Sequence, residues 1–252
     1  MNQIIGNLIV RLNEVDSTNN YANQQIRDNG VAEGTVFLAY SQIAGRGQQK
    51  NTWESAPGQN LVFSIVLNPD FLEIRDQFML SKIVSLGIYH SMNKYVDGLK
   101  VKWPNDIYVG NLKLGGVLIE NSVMNGLIKY SVIGIGINVN QDAFFSNAPN
   151  PVSLKMLTKN HFDIDILLSE ILSEIDKYYK LLKSGNFLSI NLEFESVLFR
   201  LHEKHFYRTN NEIFEGEICG VNEIGQLIIK NNNDDFLEFH LKEVEFMFTE
   251  NK

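Results

Sequence analysis

The chain has 252 residues, which at about 150 residues per domain bounds it at one large domain, or a large and a small one, with a sizeable core. Apolar types make up 44% and charged types 21%, a globular balance that excludes disordered, collagen-like and coiled-coil chains. With 22 Lys and Arg against 30 Asp and Glu, net −8, the overall field repels phosphate backbones and anionic lipid, so neither nucleic acid nor a membrane is expected as a partner.

In chain order, Leu8–Leu12 reads as a strand, and Asp16-Ser17-Thr18 offers capping side chains for a helix through Tyr21, Ala22 and Ile26. Gly34–Tyr40 and Leu61–Leu67 are apolar, β-rich runs. Between them Ser41–Asn60 is a long polar insert, and a loop of that length in a compact domain usually binds or covers something. Helical spacing at Phe78, Ile83, Leu86, Tyr89 and Met92 predicts a core helix from about Phe71 to Tyr95, closed by Gly98. From Lys100 to Val139 short β runs alternate with turn signals at Pro104-Asn105-Asp106, Gly110-Asn111 and Asn125-Gly126, as in a mixed or antiparallel sheet. After a loop at Asn147–Pro151, helices are expected over Ile164–Leu182, stopped by Ser184-Gly185-Asn186, and over about Phe187–Phe199.

Beyond Val197 the pattern becomes short strands, Glu212–Val221, Leu227–Lys230 and Phe236–His240, joined by Asn- and Asp-rich turns. This predicts a larger unit over 1–196 and a small all-β unit over 197–252. The latter carries 6 Lys and Arg against 11 Asp and Glu, so it is no DNA-binding module. Lone Cys219 excludes an intrachain disulfide and a multi-thiolate zinc cluster, and reads as a small buried apolar residue. No apolar run approaches the roughly 18 residues of a membrane span, and Met1–Val10 lacks the basic lead and apolar stretch of a secretory signal, so a cytoplasmic location is expected.

Within the long loop, Gly45-Arg46-Gly47 combines close backbone approach with a guanidinium fork suited to phosphate or carboxylate; a plain surface turn is the alternative. Lys113 sits between Leu112 and Leu114 and ahead of Gly115-Gly116, where a ligand could lie against bare backbone, or where a solvated lysine could stand on an exposed sheet. Asn105 and Asp106 are either turn formers or site residues. Ile133-Gly134-Ile135-Gly136-Ile137-Asn138 lacks the third glycine of a dinucleotide fingerprint, and there is no P-loop and no Gly-x-Ser-x-Gly elbow. His202 and His205 lack a third metal ligand.

Taken together and in this order, Asp16-Ser17-Thr18-Asn19, Gln42-Ile43-Ala44-Gly45-Arg46-Gly47 with Trp53, Lys102-Trp103-Pro104-Asn105-Asp106, Lys113-Leu114-Gly115-Gly116 and Gly136-Ile137-Asn138 resemble the biotin protein ligase family, the biotin–[acetyl-CoA-carboxylase] ligases. The resemblance implies an α+β fold. A mixed β-sheet catalytic domain of the class II synthetase-like type carries helices on one face, and a small C-terminal SH3-like β-barrel follows. It also implies a two-step reaction: biotin and Mg-ATP give biotinyl-5′-AMP and pyrophosphate, and a lysine of a biotin carboxyl carrier protein then attacks the acyl adenylate. Lys113, Arg46 and Asp106 are the implied catalytic groups. Ser17, Thr18, Asn19, Gln42, Gly45, Arg46, Gly47, Lys113, Gly115 and Gly116 would hold biotin. Arg46, Gln48, Trp53, Asn105, Lys113 and Asn138 would hold ATP or the adenylate, and Asn105 and Asp106 the magnesium ion.

Two departures from the family pattern stand out. Where many members have a further arginine, this chain continues Gln48-Gln49-Lys50, which implies looser retention of the intermediate unless Lys50 reaches in. Asp16-Ser17-Thr18 begins almost at once, so no helix-turn-helix domain is expected before it, nor a repressor role. A homodimer is a further expectation by resemblance. The alternatives are a lipoate or octanoyl ligase of the same fold and a non-catalytic biotin-binding protein; retention of Lys113 speaks against the latter.

Overall fold

The computed structural model describes residues 3–48, 51–146, 150–210 and 212–248. Its larger part is a seven-stranded mixed sheet of strands β1 (Ile9–Val15), β2 (Val36–Gln42), β3 (Leu61–Leu67), β4 (Leu99–Lys102), β5 (Asp106–Val109), β6 (Leu112–Met124) and β7 (Leu127–Ile137), in the order β1-β2-β3-β7-β6-β5-β4. Only β1 and β2 run parallel, because helix α1 (Thr18–Asn29) carries the chain back between them; every other neighbour is antiparallel. Interior strand β3 is buried at all seven residues, as its run of six apolar residues around Ser64 requires.

Helices α2 (Phe78–Met92), α4 (Ile164–Lys183) and α5 (Phe187–Ser196) pack against one another, and α2 reaches β4, β5 and β6. The stripe Leu168, Ile171, Leu172, Ile175, Tyr179 and Leu182 on α4 is buried at helical spacing, each such side chain worth about 1.5–3 kcal/mol of burial. These are the helices expected on one face. Helix α1 adds a second, smaller layer on the other face, where Ala22 meets Phe37, Val66 and Val132.

The expected start of the long helix at Phe71 moves to Phe78, because Leu72 and Ile74 in the preceding segment bond to the β6–β7 hairpin, and only a short 3-10 turn forms at Ile74–Asp76. Ile74 N–H donates to Gly126 O at 3.0 Å and Ile128 N–H to Leu72 O at 3.0 Å. Likewise α5 stops at Ser196 and not at Phe199, since Val197–Phe199 pairs with the outer edge of β4 through Val101. The short helix α3 (Leu154–Thr158), capped by Ser153 Oγ accepting from Met156 N–H, was not anticipated; it follows a loop whose residues 147–149 lie outside the described ones.

After α5, strands β8 (Lys204–Thr209), β9 (Glu212–Val221), β10 (Leu227–Asn231), β11 (Phe236–Phe239) and β12 (Glu245–Phe246) form a five-stranded antiparallel sheet, order β11-β10-β9-β8-β12. It docks on the larger part through aromatic stacking of Phe246 and Phe248 with Phe199 and Tyr108, and through Trp103 Nε1–H donating to Gly225 O at 2.9 Å. Cys219 is half-buried, and no helix among the described residues is long and apolar enough to cross a membrane.

Candidate active site

A cavity of about 670 Å³ opens where the long loop, the N-terminus of α1, the β5–β6 hairpin and the C-terminal segment 241–248 converge. Its polar end is built at the start of α1. Ser17 is the N-cap residue, yet its hydroxyl makes no cap; the Thr18 N–H is taken instead by Gln42 Oε1 at 2.7 Å, from the end of β2. This correction to the expected capping leaves the Ser17 hydroxyl facing the cavity. Ser64 Oγ lies 2.7 Å from Thr18 Oγ1 and 2.6 Å from Asn19 Oδ1, and Asn19 Nδ2–H donates to Glu120 Oε2 at 2.9 Å. Ser17, Thr18 and Asn19 are all buried, and the Ser17 hydroxyl has no partner among the described residues, so an occupant without a matching polar atom would leave it unpaired, at about 1–3 kcal/mol.

The floor is β7, whose alternate residues Gly134 and Gly136 point to one face. A Cβ on Gly134 would collide with the Asn19 amide, and one on Gly136 with the Trp53 indole. The two glycines therefore exist as room for two site side chains, which accounts for the repeat that failed as a dinucleotide fingerprint. Trp53 is held there by a small hairpin within the long loop: Trp53 N–H donates to Gly45 O at 2.8 Å, and Arg46 bridges to Thr52. The buried Trp53 Nε1–H has no acceptor among the described residues.

Three cations face this space from the loop and the sheet. Lys113, on β6, places Nζ 2.7 Å from Asp106 Oδ1 on β5 and 6.0 Å from the Trp53 ring centroid. Arg46 spans to Glu120 on β6 and to Asn20 on α1, which straps the loop across the polar end. Lys102, at the end of β4, lies over the rings of Phe246 at 4.3 Å and Tyr108 at 5.5 Å. Burial pushes its amine down to about 8, against the opposing pull of the nearby Asp106 carboxylate, and burial likewise pushes the Tyr108 phenol up.

The structure brings Ser17, Thr18, Asn19, Gln42, Arg46, Gly47, Gln48, Trp53, Asn105, Asp106, Lys113 and Gly116 to the cavity wall. It does not bring Gly45, Gly115 or Asn138 there. A Cβ at Gly45 would meet the Trp53 carbonyl, and one at Gly115 the Ile137 side chain, so both glycines serve close backbone packing. Asn138 Nδ2–H donates to Val152 O at 3.1 Å behind the wall. Asn105 is on the wall, but its Nδ2–H is spent on Val117 O, which locks the hairpin. Lys50 lies outside the described residues. Lys102 and Gly136 stand in the quoted motifs without a role of their own, and Glu120, Gly134 and the 241–248 segment were missed; alternate glycines on one strand face were the signal that could have exposed the floor.

Among the described residues no three His, Cys, Asp or Glu side chains converge as a metal cage. Asp106 Oδ2 and Asn105 Oδ1 are one carboxylate and one amide oxygen beside the cations. That donor set fits magnesium that arrives chelated by phosphates, which needs only one or two protein oxygens.

Residues 12–138 match the biotin/lipoate A/B protein ligase family, and the chain belongs to that family. It is 29% identical over 238 residues to the bifunctional ligase/repressor BirA of Bacillus subtilis, covering 91% of this chain and 71% of that protein. It is 26% identical over 208 residues to the biotin–[acetyl-CoA-carboxylase] ligase of Paracoccus denitrificans, covering 80% and 86%. Among solved structures, the biotin protein ligase of Aquifex aeolicus in complex with biotin and ATP superposes with a TM-score of 0.79 at 26% identity, covering 96% of this chain and 99% of that one.

Proposed function

We propose that the protein is an ATP-dependent biotin protein ligase. The observation that carries this reading is one cavity that joins a polar end, buried Ser17, Thr18 and Asn19 with half-buried Gln42, to a pair of cations, Lys113 and Arg46. A ureido ring presents two N–H donors and a carbonyl acceptor, which suits hydroxyl and amide partners; the acyl tail then runs along β7 toward Lys113.

In the first step a carboxylate oxygen of biotin attacks the α-phosphorus of ATP. The bond to the β-phosphate bridging oxygen breaks, and pyrophosphate leaves with that electron pair. Both reactants are anions, so fixed cations are needed to screen their approach and the charge that builds between them. Lys113 and Arg46 supply that screening, and Trp53 packs the adenylate. Asp106 and Asn105 would hold a phosphate-chelated magnesium ion, which would supply further neutralisation of phosphate charge. In the second step the neutral ε-amine of a carrier-protein lysine attacks the acyl carbon, the acyl–phosphate bond breaks and AMP departs. The amine starts near pKa 10.4, and Asp106 accepts its proton directly or through water.

The same reading takes a biotin carboxyl carrier protein as partner, places the protein in the cytoplasm with its ATP supply, and has two copies pair along the outer edge of β1, which sedimentation in solution checks. The test is incubation with ATP, magnesium, labelled biotin and a carrier domain. Label on the carrier lysine is expected; label transfer from lipoate instead, or biotin binding without pyrophosphate release, overturns the reading.

A further inference from the structure

The long loop between β2 and β3 is fastened at two places by two opposite charges. At the front, Arg46 reaches Glu120 and Asn20. At the rear, Glu54 reaches the segment that leaves β7. Phe145 N–H donates to both of its carboxylate oxygens at 3.0 Å, Ser146 N–H to Oε2 at 2.7 Å, and Gln141 Nε2–H approaches Oε1 at 3.3 Å. Consecutive backbone N–H groups that converge on one carboxylate make an anion-holding turn, and a charged acceptor strengthens each bond. Burial, which would raise the Glu54 carboxyl, is outweighed by the bonds from Ser146, Phe145 and Gln141, which hold it below its usual range. Buried Gln141 backs the clasp from behind: its Oε1 accepts from Ala56 N–H at 2.9 Å, and its Nε2–H also donates to Ala143 O at 2.8 Å.

None of these residues lines the cavity, but Trp53, the neighbour of Glu54 in the chain, does. Its indole lies against the bare backbone of Gly136, and with no acceptor for Nε1–H among the described residues the ring has no polar tether of its own. Its place is set by the backbone that carries it. Gly45 O holds that backbone on one side through the Trp53 N–H, a single point about which the residue could pivot. Glu54 fixes the other side. We propose that Glu54 is a positioning residue: through its bonds to the backbone at 145–146 it keeps the Trp53 indole on the floor of the cavity, and so sets the affinity for ATP and not that for biotin. Biotin is spared because the polar end is strapped separately, through Arg46. This rests on the adenylating activity proposed above and adds to it a residue outside the cavity.

The experiment compares the unaltered protein with Glu54→Ala and with Glu54→Gln, which keeps one acceptor oxygen without the charge. Quenching of tryptophan emission by acrylamide, in the absence of substrates, reads the indole, with the contribution of Trp103 subtracted by means of Trp53→Phe. Biotin-dependent pyrophosphate exchange gives kcat and the KM for ATP, and calorimetry the biotin Kd. Glu54→Ala should leave Trp53 several-fold more open to the quencher and raise the KM for ATP about tenfold, the scale of a hydrogen bond to a charged group, with kcat and the biotin Kd within about twofold. Glu54→Gln should fall between the two proteins in both quenching and KM. A KM for ATP held within about twofold in Glu54→Ala, or a biotin Kd that rises in step with it, overturns the assignment. So does a KM that recovers in Glu54→Gln while Trp53 stays open, since the effect would then not run through the indole. Should Glu54→Ala not fold, Glu54→Gln against the unaltered protein decides in the same terms. Failure to adenylate biotin would remove the wider reading, while the quenching would still report whether Glu54 holds Trp53.

Discussion

Lys113 and Asp106 meet at 2.7 Å because a register shift between Ile107 and Tyr108 sets Lys113 opposite Tyr108 while Asp106 stays opposite Gly116. A Cβ on Gly116 would reach 3.0 Å from Asp106 Oδ1, so the glycine keeps the carboxylate free to swing onto the amine. Removing the amine leaves a carboxylate facing the incoming phosphate, repulsion in place of attraction. Lys113→Ala should therefore lower the rate of biotin-dependent pyrophosphate exchange by about a hundredfold or more, the scale for one electrostatic stabiliser, while biotin still binds. Exchange at the unaltered rate would refute the role.

Gly134 and Gly136 allow a graded test of the floor. Gly134→Ala pushes against the Asn19 amide, which is fixed by Ser64 and Glu120 and cannot retreat without breaking those bonds. Gly136→Ala pushes against the Trp53 indole, carried on a loop that can yield. The first variant should raise the biotin Kd at least about tenfold, the cost of one or two buried hydrogen bonds, and the second should mainly raise the KM for ATP. Titration calorimetry with biotin alone and steady-state kinetics in ATP separate the two; the reverse pattern would show the polar and adenylate ends to be exchanged.

Gln48 lines the cavity one residue beyond the Gly45-Arg46-Gly47 turn, where its amide offers hydrogen bonds but no charge. A guanidinium there would add a charge-assisted bond to an adenylate phosphate, about 1.5–3 kcal/mol if desolvated. Gln48→Arg should slow the release of biotinyl-AMP at least about tenfold in a filter assay. Equal release rates in both proteins would remove the idea that this position sets retention.

Much of the architecture was legible because it rests on local chemistry. Apolar-rich Leu61–Leu67 is a fully buried interior strand of the sheet, and Asn125-Gly126, both at positive φ, turns β6 into β7 as an Asn-Gly pair should. What stayed illegible depends on partners distant in sequence. Phe71–Gln77 has helical spacing, yet Leu72 and Ile74 bond to the hairpin at Ile128 and Gly126, which leaves only a 3-10 turn at Ile74–Asp76. Lys102 alternates with Val101 and Trp103 like any strand lysine, and only the arrival of Phe246, 144 residues later, strips it of water. Glu120 reads as a solvated strand residue until α1 and the loop both converge on it. Asn138 shows the converse: it sits in a motif that pointed to the adenylate, yet its amide is used to fasten β7 to Val152.

Stability away from the site can be checked at α4. Asp163 Oδ1 accepts from Asp165 N–H at 2.8 Å and Ile166 N–H at 3.1 Å, satisfying two of the four free donors at the start of this 20-residue helix. Asp163→Ala should cost about 1 kcal/mol, and Asp163→Asn much less. Chemical denaturation measures both. Equal costs would assign the effect to charge near the helix start and not to the cap.

Glu120 divides stability from function. One oxygen pairs with Arg46, and the other accepts from Asn19 at 2.9 Å and from Asn23 at 3.3 Å. The ion pair is partly solvated, with side-chain exposures of 40% for Arg46 and 30% for Glu120, so its loss should cost only about 0–1 kcal/mol of global stability. The strap it closes is local, however: without it the Arg46 guanidinium keeps only Asn20 as a side-chain partner among the described residues, and the loop is held less firmly across the polar end. Glu120→Ala should therefore leave the denaturation midpoint nearly in place, while trypsin cleaves after Arg46 several-fold faster and the KM for biotin rises. Glu120→Gln, which keeps an acceptor for the asparagines but not the ion pair, should recover biotin affinity more fully than protease resistance. Parallel recovery of both would mean that the asparagine bonds, and not the pairing with Arg46, hold the loop.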